Sequence, residues 1–152
     1  ATFWTDLRNK HPEVVWDTQR YMTEYQCVKF SEDRYNPYNL PATKLRAADT
    51  LNENHYARQK LQEFFKQEGR LIVLTHMAPD YDTCTEQHDN LSFAYSNTNI
   101  NLYDVPKHDW IYGHMHSRHE GQVGNCTHHR NPRGYVGYEA HNFTQSFEFK
   151  QL

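Results

Sequence analysis

One stretch of sequence decides the fold of this chain: Asp109-Trp110-Ile111-Tyr112-Gly113-His114-Met115-His116. Residues 110–112 are aromatic and aliphatic, as in a buried strand, and a glycine then precedes two histidines separated by one residue. Glycine adopts backbone angles closed to other residues, so it lets both imidazoles turn into one small space. Because neutral imidazole is a common ligand of transition metals, the stretch predicts a strand ending in a metal site. The alternative, two solvated loop histidines, stays open at this point.

A second stretch has the same form, Arg70-Leu71-Ile72-Val73-Leu74-Thr75-His76-Met77-Ala78-Pro79. Its four consecutive aliphatic residues predict a strand buried on both faces, at the centre of a covered sheet. His76 follows directly after the end of that strand. Open sheets place ligands at the carboxyl ends of their strands, so we expect His76, His114 and His116 to serve as metal ligands.

A third motif follows at residues 131–135, Asn-Pro-Arg-Gly-Tyr. With residues 75–79 and 113–116, and in that order, it resembles the C-terminal half of the calcineurin-like metallophosphoesterases. Strands of that family end in T-H-H-x-P or a close variant and in G-H-x-H, and one bacterial and phage branch carries an N-P-R-G-Y loop. Residues 3–7 and 45–51 are similar to segments of the same branch. The resemblance therefore covers nearly the whole chain, but only half of the family's domain.

The resemblance implies a phosphoesterase with two divalent transition metals (Mn, Fe or Zn). His76 and His114 would bind one metal and His116 the other, and a metal-bridged hydroxide would hydrolyse phosphate mono- or diesters. The N-P-R-G-Y loop would bind substrate through Arg133 and Asn131. The residues themselves leave two roles open for Arg133, because a rigidly presented guanidinium suits either a phosphate or the carbonyl groups of its own loop.

The family's remaining motifs, D-x-H, G-D and G-N-H-[DE], do not occur between Ala1 and Leu152. In the family they supply the other metal ligands, the bridging aspartate and a histidine that helps to protonate the leaving group. We therefore expect an N-terminal-half metallophosphoesterase chain as partner, sharing the two metals. The expected fold is α/β, with residues 1–152 forming half of a metallophosphoesterase-type β-sandwich flanked by helices and completed by that second chain.

Three functions remain open. The chain is either the C-terminal part of this split enzyme, or a catalytically inactive half-domain that acts as a binding or regulatory module. A hydrolase that is active by itself with one metal is the third possibility. Loss of activity in the assembled pair on replacing His114 or His116 would distinguish the enzyme from the module.

Periodicity predicts the other elements. A helix is expected over 47–68, with a core-facing stripe of Ala57, Leu61, Phe64 and Phe65, and with Gly69 at its end. Residues 3–5 predict a short strand, His11-Pro12 a helix start, 18–24 a turn region and 31–44 a loop. Residues 92–96 resemble the family's helix start beside the pocket, and a role in packing alone stays equally open for them. Three aromatic residues predict a last strand: Phe143, Phe147 and Phe149.

Composition sets outer limits on function. The formal net charge of −3 gives no general attraction for nucleic acid or anionic membranes, so an anionic substrate must be held by local charge. The three cysteines show no C-x-x-C spacing, which argues against a disulfide framework. No apolar run is long enough to span a bilayer. We therefore expect a cytoplasmic protein.

Overall fold

The computed structural model describes residues 2–30, 43–83, 90–98 and 100–135. These residues form a mixed α/β structure in which helices flank a small open sheet. The helices are α1 Leu7–Lys10, α2 Pro12–Tyr21, α3 Thr23–Cys27, α4 Ala47–Phe64 and α5 Ser92–Tyr95, with a 3-10 helix at Tyr81–Thr83. The strands are β1 Lys29–Phe30, β2 Thr43–Lys44, β3 Leu71–Leu74, β4 His108–Tyr112, β5 His119–Val123 and β6 Cys126–Arg130.

The main sheet has the strand order β3-β4-β6-β5, while β1 and β2 form a separate antiparallel pair. β4 runs parallel to both β3 and β6, and β5 is antiparallel to β6. The β5–β6 hairpin turns at Gly124, where φ is +57° and an added Cβ would lie 2.5 Å from the Leu102 carbonyl oxygen. Because β3, β4 and β6 run parallel, their carboxyl ends lie at the same end of the sheet.

The strand predicted before the two histidines is confirmed as β4, a buried interior strand of the sheet. Its Trp110 is fully buried, and the indole Nε1 donates a hydrogen bond of 2.8 Å to Thr75 Oγ1 at the end of β3. Phe3 packs on the same indole with ring centroids 5.6 Å apart. This aromatic core fixes the ends of β3 and β4 relative to each other.

The prediction that β3 is a central strand covered on both faces is wrong for the part of the chain that the structure describes. β3 is an edge strand, and the side chains of Ile72 and Leu74 are 45% and 61% exposed. Leu71 and Val73, on the other face, pack inwards. An aliphatic run has the same sequence whether one or both faces are covered, so periodicity could not separate the two cases.

The long helix is confirmed as α4, although it ends at Phe64 rather than residue 68. Asp49 closes its first turn by accepting a hydrogen bond of 2.8 Å from the Arg46 backbone N–H. Three residues of the predicted stripe pack against the core, whereas Phe64 is 37% exposed and was wrongly assigned to it: the packed residues are Ala57, Leu61 and Phe65. Gly69 has the expected positive φ, +104°.

The amino-terminal strand predicted at residues 3–5 is wrong. Phe3 has a φ of 52°, which interrupts an extended strand, and the Thr2 carbonyl accepts hydrogen bonds from the backbone N–H groups of His76 and Met77 instead. Residues 7–10 then make a left-handed turn, with φ between 50° and 63°. α2 begins at Pro12 as predicted, but α2 and α3 are helical across most of the predicted turn region.

The α/β class is thus confirmed, while the sandwich and its completion by a second chain remain predictions. The expected last strand, most of the loop predicted at 31–44 and Cys84 lie outside the described residues. In the described part of the chain, each helix is too short or too polar to cross a membrane.

Candidate functional site

The ends of β3 and β4 bring two of the three predicted metal ligands into contact. His114 Nδ1 lies 3.2 Å from His76 Nε2, and the two rings are perpendicular with centroids 5.1 Å apart. The Gly113 backbone N–H donates a hydrogen bond of 3.0 Å to the His76 carbonyl, which continues the strand pairing into the loops. Parallel pairing of β3 with β4 is therefore what joins two histidines 38 positions apart.

The loop that carries His114 is held in a tight, partly left-handed turn. His114 has a φ of 65°, and the Met115 N–H donates a hydrogen bond of 2.8 Å to the Gly113 carbonyl. The Met115 side chain is buried, so the histidines on either side of it are directed away from the core. A left-handed backbone is uncommon for residues other than glycine, and it persists only where the surrounding structure holds it.

The third predicted ligand, His116, lies on the same loop but contacts a different partner. Its ring is perpendicular to that of Tyr135, with centroids 4.7 Å apart. Both His114 and His116 line a cleft of about 670 Å³, here called the histidine cleft, whose walls also include Tyr95 and Glu24. The structure thus pairs His76 with His114 and places His116 along the wall of the cleft.

At 3.2 Å, His76 Nε2 and His114 Nδ1 share a hydrogen bond whose direction depends on the tautomers, and the spacing is also close to that of two ligands of one metal ion. Two nitrogen ligands at ~2.1 Å from a tetrahedral ion stand ~3.4 Å apart. The observed separation of 3.2 Å is close to that spacing. Across residues 2–30, 43–83, 90–98 and 100–135, no three His, Cys, Asp or Glu side chains are grouped closely enough to hold a metal ion. The described residues therefore offer two adjacent candidate ligands, His76 and His114.

The N-P-R-G-Y loop leaves the sheet at the same edge, directly after β6. Asn131 is half-buried and the Arg133 side chain is exposed. Tyr135, at the end of the loop, lines the histidine cleft. Both proposed roles of Arg133, binding phosphate and pinning its own loop, remain predictions.

Sequence reasoning missed most of the cleft wall. The cleft draws Glu24 and Cys27 from α3, and no motif marks these residues. Tyr95, on α5, packs its ring 4.6 Å from that of His114, and only its place in a segment similar to the family's pocket helix pointed to it. These residues are distant in sequence from the histidines, so the fold alone assembles the wall.

A buried carboxylate, Asp109, pairs with an exposed arginine at the other end of β4 from the histidine loop. Asp109 accepts hydrogen bonds from Arg70 Nε at 2.8 Å and from His129 Nε2 at 3.1 Å. Burial acts to raise the pKa of Asp109, but the hydrogen bonds and charges of Arg70 and His129 outweigh it and hold the pKa below its ordinary value. This pair ties β4 to β6 and to the segment before β3.

Comparisons with known proteins give this chain no relative: no family model, no curated protein and no solved structure matches it. Function must therefore be inferred from the site itself.

Proposed function

We propose that this chain is the C-terminal part of a split, dinuclear metal-dependent phosphoesterase that hydrolyses phosphate mono- or diesters. The observation that carries the proposal is the His76–His114 contact at the carboxyl ends of two adjoining parallel strands. Two imidazoles at ligand spacing, beside an open cleft with a third histidine in its wall, form half of a dinuclear site. The sequence motifs place these residues in the order that the metallophosphoesterases use.

In the proposed mechanism, His76 and His114 hold one metal ion and His116 contributes to the second. When bound, the two metals supply Lewis-acid stabilisation of the phosphoryl oxygens and lower the pKa of the attacking water. Tyr95 packs against the His114 ring and restricts its orientation. Arg133 offers an exposed, planar cation to a phosphate group, and Asn131 lies beside it at the end of β6.

The proposal requires a complementary N-terminal half, and the outer side of the edge strand β3 offers a place for it. β3 pairs with β4 on one side, and no described strand pairs with its other side. An apolar groove of about 540 Å³ runs along this edge between β3 and α4, and its lining includes Tyr56, Leu61, Phe64, Ile72, Leu74 and Trp110. A strand of the partner added beside β3 would cover this groove and extend the sheet towards His76.

The test is native mass spectrometry of the protein purified from its natural source, with metal content measured on the same sample. We expect a complex with a second polypeptide carrying about two transition metals per pair. The same complex should hydrolyse p-nitrophenyl phosphate or bis-p-nitrophenyl phosphate with added Mn²⁺, and the chain alone should not. A monomer that binds no metal and hydrolyses neither ester would overturn the proposal and favour the binding module.

Variants of the reconstituted complex then assign the ligands. His114→Ala and His116→Ala should each abolish hydrolysis while the complex still assembles. The matched control is His55→Ala, because His55 is an exposed histidine on α4 whose imidazole bonds to Gln59. Full activity in either cleft variant would remove that histidine from the metal site.

A further inference from the structure

A second pair of histidines lies across the β5–β6 hairpin, away from the histidine cleft. The strand register pairs His119 with Arg130 and Gly121 with His128. His119 and His128 are therefore diagonal neighbours on the same face of the hairpin. Their rings are 5.2 Å apart between centroids, with an interplanar angle of 31°.

Gly121 leaves an open space between the two imidazoles. A Cβ atom at this position would lie 2.7 Å from His128 Nε2 and 3.2 Å from His119 Nε2. Both rings thus direct the same nitrogen, Nε2, at the volume that any other residue would fill. Rotation of the less buried His119 side chain would let both nitrogens approach one ion, each at the ~2.1 Å expected of an imidazole bound to zinc.

The hydrogen bonds of His128 fix which of its nitrogens carries the proton. The Tyr112 hydroxyl donates its single proton to the Thr83 carbonyl at 2.7 Å. At the 3.2 Å contact with His128 Nδ1, the hydroxyl oxygen must then accept, so Nδ1 carries the proton. In a neutral imidazole this leaves the lone pair on Nε2, the atom that faces the space over Gly121.

His128 is also held in the neutral form that binds metals. Burial lowers its pKa to about 4, and the nearby His119, Arg130 and His129 act in the same direction. Metal-binding histidines usually form a hydrogen bond through their second ring nitrogen, which fixes the tautomer and the ring orientation. The contact of His128 Nδ1 with Tyr112 has this arrangement.

We propose that His119 and His128 form a transition-metal site, separate from the His76–His114 pair, that binds Zn²⁺, Cu²⁺ or Ni²⁺ through their Nε2 atoms. Imidazole suits these ions, and water completes the coordination. His119 is half-buried, so the ion reaches the site from the side of its ring. A bound ion links β5 to β6 across the strand pair, and it thereby stabilises the hairpin that leads into the Asn131–Tyr135 loop. The proposal does not depend on phosphoesterase activity.

The test uses Zn²⁺ and the His114→Ala/His116→Ala double variant, in which the first site is disabled. Zn²⁺ should shift the side-chain ¹⁵N resonances of His119 and His128 at Nε2, as seen by NMR, and should raise the melting temperature in a concentration-dependent way. In the same background, His119→Gln should remove at least nine-tenths of the Zn²⁺ affinity. Gly121→Ala should do likewise, because its methyl group would push apart the two Nε2 atoms that must converge on the ion.

The matched control is His55→Gln, which removes an exposed histidine distant from the hairpin and should leave Zn²⁺ affinity unchanged. His119→Gln is preferred to a His128 variant because His119 is less buried and its loss leaves the core packed. Unaltered Zn²⁺ affinity in both His119→Gln and Gly121→Ala would overturn the proposal. So would the absence of any Zn²⁺-dependent shift at the two Nε2 atoms.

Discussion

Arg130 Nη1 lies 3.1 Å from the sulfur of Met115, so a buried guanidinium at the end of β6 holds the loop that carries the cleft histidines. Arg130 Nη2 donates a second hydrogen bond, of 2.7 Å, to Ser117 Oγ on the same loop. The loop is thus fixed at its buried methionine and again two residues later. Substitution of Arg130 should therefore disturb the positions of His114 and His116 indirectly, through this loop.

We expect Arg130→Ala to lower the free energy of unfolding by about 3 kcal/mol, because it opens a cavity and removes charge-assisted hydrogen bonds. Ser117→Ala removes only one of these bonds and should cost about 1 kcal/mol. Arg118→Ala, at an exposed neighbouring position, serves as control and should have little effect. Urea unfolding at neutral pH measures all three. Equal losses in Arg118→Ala and Arg130→Ala would show that the buried contacts contribute nothing.

The Asp109 ion pair should make stability depend on pH in acid. Because the folded-state pKa of Asp109 is depressed, its contribution is present above the ordinary aspartate pKa of about 3.9. It is lost as pH falls through the lower folded-state value. The stability deficit of Asp109→Asn relative to the parent should therefore shrink between pH 7 and pH 3.

Urea unfolding at the two pH values measures that deficit. Asp104→Asn is the control, since Asp104 is exposed and its carboxylate contacts the Asn101 amide rather than an arginine. A deficit in Asp109→Asn that is the same at both pH values would contradict the assignment.

His128 should remain neutral well below the pH at which an ordinary histidine becomes charged. Its pKa, lowered to about 4 from 6.5, means that the unfolded chain takes up a proton first as pH falls. Stability from this group is thus fully present above pH 6.5 and decreases as pH falls towards 4. An NMR titration with chelator present should show the His128 midpoint near pH 4, with the Nδ1–H tautomer above it. A midpoint near 6.5 would contradict the burial and hydrogen bonding described here.

The outer edge of β3 should be where the proposed partner docks. Leu74→Glu places a charge on the exposed apolar face of this strand, and we expect it to weaken assembly at least tenfold while leaving the monomer folded. Tyr103→Glu is the control, because Tyr103 is similarly exposed, at 65%, but lies outside the groove. Native mass spectrometry of mixtures with the partner measures assembly, and circular dichroism checks the fold. Unchanged assembly in Leu74→Glu would place the partner elsewhere.

Much of the fold could be predicted from local patterns. The 3.6-residue stripe and Gly69 gave α4, and the apolar run before Gly113 gave β4. The contact of His76 with His114 followed from both histidines ending parallel strands, a rule that needs no side-chain detail. These elements could be predicted because each sequence pattern is compatible with only one local structure.

Other features depend on contacts that no local pattern encodes. β3 has the same residues at an edge as it would at the centre of a sheet, so its exposure could not be predicted. The left-handed turn at residues 7–10 has no glycine to mark it. The proton position on His128 is set by Tyr112 and Thr83, which come from two other parts of the chain. No sequence motif marks His128, and the structure places it on β6 and buried.

The parallel pairing of β3, β4 and β6 also governs how the site can form. His76 and His114 meet only after β3 and β4, which lie some forty positions apart in the sequence, have paired. Closing such a loop costs entropy before any contact compensates for it, so non-local pairing of this kind slows folding. The ability to bind a metal ion should therefore appear late in refolding, at the same time as the burial of Trp110 and after the helices have formed. A newly made chain would pass through a helical stage in which its histidines are still separate.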